Sequence, residues 1–358
     1  MKILFITEFS PDTKQIFTGG VEARTYFTVH ELRSRHSVTV ISRRSALVSA
    51  SFWSIFSRLW FMISSIIKGL RHPQADLVEG SNVVCYLPAW IIAKIRRVPA
   101  VAWVPDILGR EWRHFGLTGI FGRFLEWFSL KLPWDHIIAL SHQTKDKLIA
   151  LGVTTNHITV VYPGVNQTEF SLPVPKRNLP TLCVIARLVP YKRVGDALNL
   201  LNQLKSRLPQ LKLLVIGTGP QKKSLAHQAK ALSLTHQVYF KSRLPRRTLI
   251  TQLKSCHLLC HFSTVEGFGL VLLEAMAAGL PYVAYATPLN REITHHGKGG
   301  FLVPVGDLPA AAAHVKDLLS NSKLYRQKLA EAKNLLTDYS WAHSARHTET
   351  VYFSLLRK

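Results

Sequence analysis

Glu266 stands directly before Gly267, Phe268 and Gly269, and a second carboxylate, Glu274, follows with seven residues between the two. Behind the glycines, "LVLLEAMAAG" reads as a buried helix closed by Gly279. A carboxylate set between Leu273 and Ala275 costs free energy unless something pairs with it. The preceding "HLLCHF" reads as a strand, so Glu266 and the glycines fall on a strand-to-helix turn. Glycines there let the backbone approach a ligand closely, and the first N–H groups of the helix favour an anion. Glu274 is at most about 12 Å of helical rise from Glu266. The pair could therefore accept hydrogen bonds from hydroxyls at the two ends of one ligand. An acceptor, a positive helix end and a second acceptor match the layout of a sugar–diphosphate–ribose molecule.

A diphosphate needs cations. Arg187 and Lys192 in "ARLVPYKRV" follow a strand and are the candidates. Gly19 and Gly20 in "TGGVEAR" open a helix after the first strand of the chain and would add amide donors facing the same ligand. A metal reading of "CHLLCH" fails on geometry, because on a strand Cys256 and Cys260 face one way and His257 and His261 the other. The sequence also has no Asp-x-Asp pair to hold a metal–diphosphate complex, so no metal ligand is assigned.

These residues need a scaffold that brings strand ends together. Apolar runs at "KILFIT", "SVTVIS", "DLVEG", "AVAWV", "HIIALS" and "ITVVY" alternate with helical stretches such as Val21–Arg35 and Gly119–Lys131. The proline-bearing "FSLPVPKRNLP" breaks the pattern, which restarts with "TLCVIAR", "LKLLVIG", "QVYF", "HLLCHF" and "PYVAYA". Strand–helix alternation implies parallel sheets covered on both faces. The expected fold class is α/β, with two doubly wound Rossmann-like domains facing across a cleft and ligands at the carboxyl ends of the strands. The expected boundaries are 1–170 for an acceptor-side domain, 171–338 for a nucleotide-sugar domain and 339–358 for a helix returning to the first.

The chain has 358 residues and a formal charge of +24, with 19 basic and 11 acidic residues up to Val165 and 26 and 10 beyond it. Such an excess points to an anionic partner. Four cysteines do not form a disulfide framework at this length, and "MKILFIT" reads as a strand rather than a signal peptide, which makes the cytoplasm the default. One segment departs from the alternation. "SFWSIFSRLWFMISSIIKGL" sets Phe52, Phe56, Leu59, Ile63, Ile66 and Leu70 along one helical face, widened by Trp53, Trp60 and Phe61. Arg58 at its centre argues against a span. The stripe suits packing on a sheet or, bordered by Arg58, Lys68 and Arg71, a helix lying on an anionic membrane surface; we read it as the latter.

The motifs "EGFGLVLLE", "ARLVPYK", "IGTGP" and "GGVEAR" occur in the order found in the retaining glycosyltransferases of family 4, which this chain resembles from Met1 to about Asp338. The resemblance implies the GT-B fold and a nucleotide-diphosphate sugar, UDP- or GDP-linked, as donor. It implies that Arg187 and Lys192 hold the diphosphate and Glu274 the ribose, while Glu266 and the amides of Gly267, Phe268, Gly269 and Leu270 hold the donor sugar and phosphate. It further implies a catalytic set of Glu266, Arg187, Lys192 and Asp106, with no metal cofactor. The acceptor would be a lipid-linked compound or glycan of cell-envelope polysaccharide or glycolipid synthesis, reached from the inner face of the membrane. Three departures mark this chain: Pro105 stands where many members carry a His before Asp106, "VYPGVN" carries Pro163 and Asn166, and "FKSRL" lacks a glycine. His114 is a candidate substitute for the missing His. A sugar-nucleotide epimerase of similar architecture and a basic nucleic-acid-binding protein are the other readings, although "IGTGP" lacks the third glycine of a dinucleotide fingerprint and no nucleic-acid module appears.

Overall fold

A computed structural model describes residues 1–8, 20–43, 52–242 and 244–357, with the side chains of 52–55, 110, 114, 115 and 117 also left undescribed. The chain divides into unit 1, Met1–Gly164 with Trp341–Lys358, and unit 2, Val165–Ser340.

Unit 1 runs β1 (Lys2–Thr7), α1 (Gly20–Arg33), β2 (Ser37–Ser42), α2 (Phe52–Arg71), β3 (Leu77–Gly80) and α3 (Val83–Arg96). It continues with β4 (Ala100–Val104), α4 (Leu117–Leu130), β5 (His136–Ala139), α5 (His142–Ala150) and β6 (Ile158–Val160). Its parallel sheet has the order β2-β1-β3-β4-β5-β6. Unit 2 runs β7 (Thr181–Ile185), α6 (Val194–Leu204), β8 (Lys212–Ile216), α7 (Lys222–Ala231), β9 (Val238–Lys241) and α8 (Arg246–Ser255). Then come β10 (Leu258–His261), α9 (Leu270–Ala277), β11 (Tyr282–Tyr285), α10 (Pro288–Ile293), β12 (Gly300–Val303), α11 (Leu308–Ser320) and α12 (Ser322–Leu335). Its sheet, also parallel, has the order β12-β11-β10-β7-β8-β9. The last helix, α13 (Trp341–Leu356), belongs to unit 1.

Every strand of "AVAWV", "LLCH" and "YVAY" is buried along its whole length, as a sheet covered on both faces requires. Two apolar cores result, one per unit, each built from strand residues and the inward faces of its helices. The expected strands are all present. One more, β12 at "GFLV", escaped the pattern because it is a four-residue edge strand with two half-buried positions, entered through a glycine-rich turn.

In unit 1 a buried ion pair lies beside the β1/β3 contact. Arg24 of α1 donates to Glu79 of β3, Ser81 Oγ donates to Glu79 Oε1 at 3.1 Å, and the Tyr352 hydroxyl of α13 donates to the other oxygen. The Arg24 guanidinium also sits 4.4 Å from the Trp103 ring centroid. Trp341 stacks on Phe27 at 5.0 Å, so α13 is fastened to α1 at its start and to Glu79 of β3 near its end.

The α2 stripe is not core. Phe56, Leu59, Trp60, Ile63 and Leu70 are exposed, while the opposite side, with Met62, Ser65 and Gly69, is buried. Phe61 turns inward with that side instead of widening the stripe, and Ile66 is half-buried. The side chains of Phe52 and Trp53 lie outside the described residues.

Candidate active site

Strand order decides where a ligand could sit in unit 2. β7 and β10 are neighbours, yet the chain leaves β7 toward β8 and leaves β10 toward β11. Loops departing in opposite directions from adjacent strands open a crevice at the carboxyl ends. Both cationic and acidic motifs are on those two loops.

The β7 loop is held by the β8 loop. Gly217 has φ +158°, and a Cβ there would come 1.8 Å from the Ala186 carbonyl oxygen. A Cβ on Gly219 would come 2.4 Å from the Leu188 oxygen. Leu188 N–H donates to Thr218 O at 2.9 Å and Gln221 N–H to Leu188 O at 3.0 Å. "IGTGP" is therefore a packing device that fixes the backbone on both sides of Arg187. From there Arg187 Nη2 donates to the Tyr191 hydroxyl at 2.6 Å. The Lys192 ammonium lies 5.4 Å from the Tyr191 ring centroid.

The β10 loop is tied to the same turn. Thr264 N–H donates to Tyr191 O at 2.9 Å, and Lys192 Nζ donates to Val265 O at 3.2 Å. Lys192 Nζ also lies 2.6 Å from Glu266 Oε1. Burial alone would raise the Glu266 carboxyl, but Lys192, His261 and the Ser263 hydroxyl outweigh it and hold it below the ordinary carboxylate range. Next, α9 starts behind Gly269, a left-handed N-cap at φ +79° with no side-chain cap. Its first amides are thus available to an anion.

Two buried polar atoms flank that helix start. His261 Nε2 and Asn290 Oδ1 have no hydrogen-bond partner among the described residues. They lie 3.9 and 3.8 Å from where a Cβ on Gly269 would be. His261 Nε2 is 3.4 Å from Glu266 Oε1. Burial pushes the His261 imidazole down to about 4, with Lys192 adding to the shift and Glu266 opposing it, so it is neutral at physiological pH. On β10, His261 faces Glu266 while Cys260 faces the core; Cys256 is not on the strand but caps α8.

Glu274 has a protein partner that the sequence did not announce. Arg246, the first residue of α8, donates to Glu274 Oε1 and sits 2.9 Å from Glu169 Oε2. Burial would lower the Arg246 guanidinium, but the two carboxylates raise it. No helical or strand period links Arg246 to Glu274; "LPRRTL" shows only a helix start after a proline.

In unit 1, Asp106 follows β4 and pairs with Lys147 Nζ at 2.6 Å. Gly20 is the first residue of α1, Gly19 lies outside the described residues, and so does the side chain of His114. A cavity of about 390 Å³ opens at the amino ends of β5 and β6, lined by Leu130, Trp134, Ile137 and Val153. It contains none of the motif residues.

The family model of glycosyl transferases group 1 matches residues 167–335, and that of glycosyltransferase family 4 matches residues 18–169. The chain belongs to glycosyltransferase family 4. A family 4 enzyme, and neither an epimerase nor a nucleic-acid-binding protein, is thus the class that the motifs indicated. The chain is 26% identical to an uncharacterised glycosyltransferase of Haemophilus influenzae, over 92% of its own length and 87% of that protein's. Among solved structures, sucrose-phosphate synthase of Thermosynechococcus elongatus superposes with a TM-score of 0.84 at 16% identity, covering both chains fully. Anabaena HepE in complex with UDP-glucose superposes with a TM-score of 0.79 at 20% identity, over 99% of this chain and 100% of that one. These likenesses establish the GT-B fold of the glycosyltransferase, with its two Rossmann-like domains.

Proposed function

We propose that this glycosyltransferase moves a hexosyl group, with retention of anomeric configuration, from a UDP- or GDP-linked sugar to a lipid-linked or glycan acceptor of the cell envelope. The observation that carries the donor side is the convergence of Lys192, Glu266 and the uncapped start of α9, with His261 Nε2 and Asn290 Oδ1 unsatisfied beside it. An ammonium has three donors, and here two are used on Glu266 and Val265, leaving one for a phosphate oxygen. Arg187 supplies the second cation. Together with the amides of Gly267, Phe268, Gly269 and Leu270 they stabilise the charge that develops on the leaving diphosphate as its bond to the sugar's anomeric carbon breaks. The acceptor hydroxyl oxygen forms the new bond to that carbon. These charges take the part a divalent ion would take, so turnover is expected to survive a chelator.

Glu266, kept ionised by Lys192, orients the sugar. Glu274 gives one oxygen to Arg246 and keeps the other for ribose hydroxyls. Asp106 is the unit 1 member of the catalytic set, and Gly20 adds an amide at the start of α1. Support for a UDP-linked donor comes from the likeness to HepE, and support for an anionic membrane as the workplace comes from the charge of +24. The test is a melting-temperature panel of UDP, GDP and their sugars, followed by anomer assignment by NMR. One nucleotide is expected to raise the melting temperature, and Lys192→Ala and Glu274→Ala are each expected to weaken it by about 1.5–3 kcal/mol while remaining folded. Unchanged affinity in both variants, an inverted product, or activity that needs a divalent ion would overturn the corresponding part.

A further inference from the structure

Helix α4 shows a large apolar face to solvent and buries a carboxylate. Its buried side carries Glu126 and Ser129 beside Leu125 and Leu130, while Ile120, Phe121, Phe124, Trp127 and Phe128 are exposed. Ile120 is 69% exposed and Phe124 58%. The orientation is fixed by Glu126, which accepts the N–H groups of Leu108 and Gly109 at 3.1 and 2.9 Å. Turning the apolar side inward would break both bonds and leave a carboxylate to be resolvated. Burial raises the Glu126 carboxyl, against the pull of those two amides, which is the cost this arrangement carries.

A second exposed apolar face lies two helices away, on α2, although its inward side is also apolar through Phe61 and Met62. α3 packs against both α2 and α4, so the three form one layer on unit 1. On α2, Trp60 is 70% exposed, and Leu59, Ile63 and Ile67 are exposed beside it. Gly69 lets α2 close onto Ile92 of α3, and Arg96 of α3 holds the end of α2 through the carbonyls of Gly69 and Leu70. α3 itself contributes exposed Ile95. Scattered apolar residues are ordinary on a surface, but aromatic-rich exposed faces on two helices of one layer mark an interface.

We infer that the α2 and α4 surfaces together form the platform by which this enzyme lies on an anionic lipid bilayer. This deepens the membrane part of the proposed function and stands on unit 1 alone. Charge selects the occupant. α2 contains no acidic residue, and the only acid of α4 is the buried Glu126. The charged residues among the exposed apolar ones are Lys68, Arg71, Arg123 and Lys131, all basic, and the half-buried Arg58 is paired with Glu8. Lys131 Nζ lies 4.9 Å from the Trp127 ring centroid, an arrangement suited to the headgroup boundary. A second copy on this face would oppose like charges. A lipid surface bearing negative headgroups accepts both the aromatics and the cations. Neither helix could serve instead as a span, since no described helix is long and apolar enough to cross a membrane.

The test is flotation of the full chain with phosphatidylcholine vesicles, with and without phosphatidylglycerol, at low and high salt. The unaltered chain is expected to float with the anionic vesicles at low salt only. Trp60→Ser/Ile63→Ser and Phe124→Ser/Trp127→Ser should each lower partitioning about tenfold or more, since each pair removes two large apolar anchors. Arg123→Gln/Lys131→Gln, which removes charge and leaves every apolar side chain in place, should weaken binding to anionic vesicles and reduce its salt dependence. Circular dichroism and the nucleotide-induced melting shift, read on the same samples, should be unchanged, which separates this surface from the donor site. Absence of flotation at low salt overturns the inference, as does equal binding by both folded apolar variants. A concentration-dependent dimer without lipid that these substitutions abolish would assign the face to a second copy instead.

Discussion

Glu274 shows what a single residue in a sequence does and does not reveal. Its position inside an apolar helix demanded a partner, and the partner in the protein is Arg246, shared with Glu169. The demand was legible because burying an unpaired carboxylate is costly. The identity was not, because the cation arrives from another helix at a separation that no local period encodes. His261 was legible only as a strand residue, and its place beside Glu266 gives it a measurable consequence. Its folded-state value of about 4 lies below the ordinary 6.5 of a histidine. Above the unfolded value both states are neutral and there is no effect. As pH falls through the interval from 6.5 to about 4, the unfolded chain takes up a proton that the folded one refuses, so stability is lost. The full loss from this group amounts to about 3 kcal/mol. His261→Gln is therefore expected to flatten the slope of unfolding free energy against pH in that window. Urea titrations at several pH values check it, and an unchanged slope would mean that His261 is solvated.

Elements were read with uneven success, for reasons that differ by type. The strands were legible because parallel sheets with both faces covered produce uninterrupted apolar runs, as in "AVAWV". The helices α1 and α4 were found within a few residues, yet periodicity says only that a stripe exists, not which way it faces. For α4 the direction is set by Glu126 binding two loop amides, and for α2 by Phe61, Met62 and Gly69 packing inward. The start of α9 carries its own prediction. Gly269 sits at φ +79°, which costs a residue with a side chain about 1–2 kcal/mol, and a Cβ would also press on Ile293 Cδ1 at 3.3 Å. Gly269→Ala is thus expected to lower unfolding free energy by that amount and to weaken nucleotide binding further, because relaxing the strain tilts the first amides of α9. Full retention of nucleotide affinity in a destabilised variant would place the phosphate elsewhere.

At the scale of the whole chain, the boundary between the units is crossed once at Gly164 and again at Ser340, so unit 1 is discontinuous and unit 2 is not. Unit 1 needs its last helix. Without α13, Phe27 loses its stacking partner Trp341 and the buried Glu79 loses the Tyr352 hydroxyl. Leaving the Arg24–Glu79 pair short of a hydrogen bond and opened to water removes about 1.5–3 kcal/mol from the charged bond alone, before any lost apolar packing. Unit 2 holds its own core and all of Arg187, Lys192, Arg246, Glu266 and Glu274. A chain of residues 165–340 is therefore expected to fold cooperatively and to bind the nucleotide of the donor with an affinity within about tenfold of the full protein, a difference of about 1.4 kcal/mol. Residues 1–164 alone should unfold at lower denaturant than the same chain with 341–358 joined to it. Calorimetric titration of the nucleotide into 165–340 and urea unfolding of the two unit 1 chains measure both halves. If 165–340 folds but does not bind nucleotide, donor recognition depends on unit 1, and the amide at Gly20 would then rank with Arg187 and Lys192.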